Sequence, residues 1–118
     1  VIKTDKRLLE IYNEWEAKLN KDEWYFCNSF EAITKGMSSE EAYNYIPRVI
    51  DLLLELDDDF LIWETIYFLI ELYNIADTTQ IHPYLESKWS VLTQHLKNYP
   101  ESNATPFKEL KTQLRLKD

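Results

Sequence analysis

Glycine occurs once in these 118 residues, at Gly36, and proline four times. Tight β-hairpin turns and Gly-rich phosphate loops need residues that take positive φ without penalty, and this chain has almost none to offer. An all-helical fold is expected. Cysteine is also single, so no internal disulfide can form. Cys27 lies in the apolar stretch WYFCNSF, where a thiol packs as a small hydrophobe and no base lowers its pKa, and a reducing cytoplasm is the expected setting. No apolar run approaches the roughly 20 residues that span a bilayer, and VIKTDKRLLE lacks the hydrophobic segment of a signal peptide. The sequon Asn103-Ala104-Thr105 is read as chance.

Positive charge is short as well: 13 Lys and Arg face 21 Asp and Glu, a net charge of −8. Such a field repels phosphate backbones and anionic lipid, so neither nucleic acid nor a membrane is an expected partner. A basic protein is. Fourteen of the acids but only seven of the bases fall in residues 1–59, which places the expected docking surface in the first half. The length suits one domain over residues 1–118.

Apolar residues at three- and four-residue spacing set out the helices. Leu8, Ile11, Tyr12, Trp15 and Leu19 predict a helix over about 5–20 with Thr4 as N-cap. A second, over about 22–35, turns Phe26, Cys27, Phe30 and Ile33 inward and stops at Gly36, a left-handed C′ position. Ser38 and Glu41 fit a capping box. Pro47, lacking a backbone N–H, predicts a break after a short turn at 39–45 and opens the run Val49, Ile50, Leu53, Leu54 and Leu56. Ile81, Leu85, Trp89, Leu92, Leu96 and Tyr99 predict a helix reaching about residue 98, with Pro83 in its first turn. YPESNATP reads as a loop. Thr105 is expected to cap a last helix that turns Phe107, Leu110 and Leu114 inward and sets Lys108, Lys111, Arg115 and Lys117 toward its C-terminal end.

The densest candidate for chemistry is LDDDFLIWETIYFLIEL, residues 56–72. Asp57, Asp58 and Asp59 precede a helix over about 59–74, where carboxylates meet unpaired amides and the positive end of the dipole. Three consecutive side chains at a turn diverge, so they do not converge on a hard cation, and no metal site is expected. Along the helix Glu64 and Glu71 share a polar face, while Phe60, Trp63, Ile66, Tyr67, Leu69, Ile70 and Tyr73 spread over most of the circumference, as in a central helix. Phe68 falls between the two glutamates, either as an exposed aromatic or packed on the second helix or a loop. His82 and His95 are too far apart for a helical zinc pair, and His82 with Glu86 reads as a surface contact. With no nucleophile elbow or paired Glu-x-x-His motif, neither an enzyme nor a cofactor is expected.

Tyr45-Ile46-Pro47-Arg48-Val49 aligns with Ile81-His82-Pro83-Tyr84-Leu85 at an offset of 36, and Trp24, Cys27 and Phe30 echo Trp63, Ile66 and Leu69 at an offset of 39. Two-helix periods of this length mark α-helical solenoids. IPRVIDLLLELDDDFLIWETIYFLIEL resembles a HEAT-type repeat, and IHPYLESKWSVL resembles the start of the next; Trp63 and Glu64 stand where such repeats usually carry an arginine. The resemblance implies a short right-handed solenoid of about six helices. Its second helices would line a concave face holding Glu64, Phe68 and Glu71, with the Asp57–Asp59 corner nearby. Size, charge and architecture are further similar to bacterial immunity proteins that cover basic toxin domains. That likeness implies a non-catalytic binder of a basic partner, monomeric or weakly dimeric. A general helical adaptor, including a homodimeric one, is the alternative, and an enzyme with an unrecognised metal site the third reading.

Overall fold

In the computed structural model, residues 6–116 are described, and all regular structure among them is helical. The helices are α1 (Lys6–Tyr12), α2 (Trp15–Lys21), α3 (Tyr25–Thr34), α4 (Ser39–Glu55), α5 (Asp59–Ala76), α6 (Pro83–Leu96), α7 (Pro100–Ala104) and α8 (Pro106–Gln113). Thr4 and Lys117 lie outside the described residues.

Several boundaries follow from local chemistry. Gly36 takes φ 81°, a left-handed turn that ends α3. Ser38 and Glu41 close the expected box: the Ser38 hydroxyl accepts from the Glu41 amide at 3.1 Å and the Glu41 carboxylate accepts from the Ser38 amide at 3.0 Å. Asp58 accepts the Leu61 amide at 3.2 Å and starts α5. His82 caps α6 through Nδ1, which accepts from the Tyr84 amide at 3.0 Å, with Pro83 at the first helical position.

Elsewhere tertiary contacts override local expectation. The helix expected over 5–20 is two: Glu14 sits at φ 52° and redirects the chain. The Ile11 carbonyl, released by this break, accepts from the Tyr25 hydroxyl at 2.8 Å, and the turned α2 stacks Trp15 on Phe60 with centroids 5.4 Å apart. Pro47 breaks nothing. It is buried inside the continuous α4, flanked by Ala42, Tyr45, Ile46, Val49 and Ile50, whose packing holds both halves of the helix together. The proline register with α6 therefore fails, since only α6 opens on its proline. The 39-residue echo holds at Phe30 and Leu69, both buried, and fails at Cys27, which is exposed where Ile66 is buried. YPESNATP contains α7, and Thr105 precedes α8 without using its hydroxyl as a cap.

The core is one cluster of buried side chains drawn from α1, α3, α4, α5, α6 and α8, plus Leu114 just beyond α8. α5 touches α3, α4, α7 and α8, and a helix with neighbours on that many sides has little room for a polar face. Phe60, expected inward, is 40% exposed at its open end. Polar clasps tie the outer elements down. The Tyr84 hydroxyl donates to the Asp51 carboxylate, joining α6 to α4 and pushing the phenol up to about 12. His95 Nε2 bonds the Leu56 carbonyl at 2.8 Å, at the end of α4. The radius of gyration, 13.6 Å, is what a chain of this length reaches when folded compactly.

Candidate functional site

Of the three acids before α5, each has a different fate. Asp57 is exposed. Asp58 is the N-cap just described. Asp59 accepts from the Ser102 amide at 3.0 Å, and the Ser102 hydroxyl meets both its carboxylate and, at 2.8 Å, its carbonyl. Ser102 is fully buried, so this clasp pins α7 to the start of α5. Sequence reasoning missed it, because a serine 43 positions away gives no local signal.

Glu64, Phe68 and Glu71 do come together. They line a groove of about 690 Å³ between α3 and α5, to which α3 adds Phe30, Glu31 and Cys27. Phe68 is not an exposed anchor there. It is 2% exposed, and its ring stacks on Phe30 at 4.3 Å and 7°, so the two rings form the floor. The packed alternative for Phe68 is the one realised, because α3 lies across the face that carries it. Cys27, expected in the core, is exposed at the groove's edge, one position beyond the buried Phe26.

Charge in the groove is one-sided. Glu31, Glu64 and Glu71 line it, and among the described residues no Lys, Arg or His does. Glu64 is half-buried and makes no hydrogen bond or ion pair with any described residue; burial raises its carboxyl above the usual range. Ionising a carboxyl in an apolar setting costs free energy unless a counter-charge arrives. Asp57 and Asp58 are not part of this lining, and Asp59 lines a smaller hollow with Phe60, Trp63 and Glu101.

On the hidden side of α5, Thr65 donates to the Leu61 carbonyl at 2.7 Å. Its one hydroxyl hydrogen is thereby used, so Tyr12 donates to Thr65 at 2.5 Å, joining α1 to α5. Burial raises the Tyr12 phenol well above its ordinary value. Among the described residues no group of three or more His, Cys, Asp or Glu is placed to hold a metal ion, and no helix is long and apolar enough to cross a membrane. No family model, curated protein or solved structure matches the chain.

Proposed function

We propose that this protein is a non-catalytic binding module, an immunity protein of the cytoplasm that covers a basic toxin domain with the face carrying the α3–α5 groove. One observation carries the reading: three carboxylates line a groove with an aromatic floor, and no Lys, Arg or His is among its described lining residues. By contrast, the hollow beside α1 sets Arg7 and Lys18 against Glu10, and the one on α8 sets Lys108 against Glu109. A single-signed patch speeds capture of an oppositely charged partner, and desolvated aromatic contacts slow its release. The finer architecture in this reading is a short right-handed solenoid of HEAT-like hairpins. Contacts of α5 with α3 and α8, and of α4 with α6, support two stacked rows.

Capture from the native host followed by identification of the partner tests the proposal directly. The expected partner is a basic toxin domain bound one to one, with an association rate that falls steeply as salt is raised. A rate indifferent to ionic strength, or an acidic partner, sinks it. The exposed Trp24 and Phe60 favour a second reading, a homodimeric adaptor. A light-scattering mass at twice the 14.2 kDa of the chain would select that reading.

A further inference from the structure

The α3–α5 groove does not end at Glu64. Cys27 and Glu64 line it and also line a second hollow of about 470 Å³, together with Leu19, Glu23, Trp24 and Phe60. Phe60 in turn lines the hollow of Asp59, Trp63 and Glu101. Neighbouring hollows share lining residues, Cys27 and Glu64 in the first pair and Phe60 in the second, and among the described residues no Lys, Arg or His lines any of them. From Phe60 to Asn74 the channel follows α5 over fifteen residues, about 21 Å at the rise of an α-helix. Both ends are acidic, and one is also aromatic. Toward Asn74 the lining carries Glu31 and Glu71; toward Phe60 it carries Glu23, Asp59 and Glu101 together with Trp24, 63% exposed, and Phe60 itself, 40% exposed. Glu64, half-buried and without a counter-charge, stands at the junction.

We infer that this channel receives one amphipathic α-helix of the partner, whose arginine reaches Glu64 and whose apolar side chain covers Trp24 and Phe60. The inference rests on the reading that this face binds a basic protein. A helix fits the occupant better than a strand, because a helix satisfies its own backbone and the described residues include no sheet edge to pair an extended one. Four turns match the length. Arginine fits better than lysine: a guanidinium is planar, weakly hydrated and able to grip a carboxylate with two parallel hydrogen bonds while lying against aromatic rings, and Glu64 has Tyr67 and Phe68 beside it in the lining. A lysine ammonium would have to shed a tighter water shell at a half-buried site.

A display library of 16-residue helical peptides, randomised on one face and selected against the full chain, is the test. Enriched peptides are expected to carry arginine one or two turns from an aromatic or large aliphatic residue. Replacing that arginine with lysine, or Glu64→Gln in the protein, should weaken binding about tenfold or more, as loss of a charge-assisted pair does. Trp24→Ala should weaken the same peptide about fivefold and leave its preference for arginine intact. Circular dichroism on both variants confirms that they fold. Basic, salt-sensitive peptides indifferent to both substitutions would overturn the channel and leave the basic-partner reading standing. Failure to enrich basic peptides would overturn both.

Discussion

Ser102 and Glu64 are the two side chains whose surroundings make the sharpest demands. The buried Ser102 hydroxyl serves the Asp59 carboxylate and carbonyl together, so Ser102→Ala removes a donor from both and leaves only the Ser102 amide on the carboxylate. The expected loss is about 1–3 kcal/mol, read as a lower urea midpoint with unchanged slope. Glu64 works in the opposite sense. Its folded carboxyl titrates above the ordinary 4.5, so the folded state favours the protonated form. Stability from this group is fully present below pH 4.5 and is lost as pH rises through the folded value. Glu64→Gln should therefore melt at a higher temperature than the native protein at pH 7, and no higher at pH 4. Glu41 supplies the mirror image. The Ser38 amide holds its carboxyl below 4.5, so its contribution is present above that value and lost as pH falls through the lower folded one. Glu41→Gln should flatten the acid limb of the pH–stability curve.

At the scale of elements, helix ends answered to local chemistry and helix middles did not. Gly36, Ser38, Asp58 and Pro83 each stop or start a helix by a property visible in one or two residues, and each does so at the expected place. Gly36 takes its left-handed conformation in open space: a Cβ there would meet nothing within 4 Å. Gly36→Ala should thus cost only the conformational penalty, on the order of 1 kcal/mol, and Gly36→Asn less, in paired denaturant titrations. Glu14 and Pro47 went the other way. The break at Glu14 interrupts an unbroken apolar stripe because Trp15 gains the face of Phe60 and Tyr25 takes up the freed Ile11 carbonyl. Pro47 stays inside α4 because side chains on both sides of it are buried in the same core. The energies of such contacts depend on partners tens of residues away, which no window of local sequence contains.

For the whole molecule, the contrast is between a buried middle and a thinly attached edge. α5 buries Leu61, Ile62, Thr65, Ile66, Phe68, Leu69, Leu72, Tyr73 and Ala76, whereas α2 buries no residue. Opening free energies track buried contacts, so amide exchange should be slowest in α5 and the facing α4 and fastest in α2. Protection in α2 equal to that of α5 would contradict this picture of the packing. The same gradient bears on the channel, since α3, one of its walls, is held to α5 by aromatic contacts such as Phe30 on Phe68 and Phe26 on Phe60. Phe68→Ala, which removes the floor as well as that tie, should cost about 3–5 kcal/mol by thermal or urea unfolding.

The sequence by itself determined the helical class, the helix ends at Gly36, Ser38 and Asp58, most of the inward residues of α4, α6 and α8, and the excess of carboxylates in its first half. These depend on composition, on spacing, and on chemistry within a few residues of each position. Only the tertiary structure decided that Phe68 is floor and not rim, that Cys27 and Phe60 face outward, and that Asp59 is held by Ser102. It also decided that acids from α3 and α5 share one groove. Such outcomes turn on how helices distant in the chain cross, and crossing is settled by the mutual fit of whole faces.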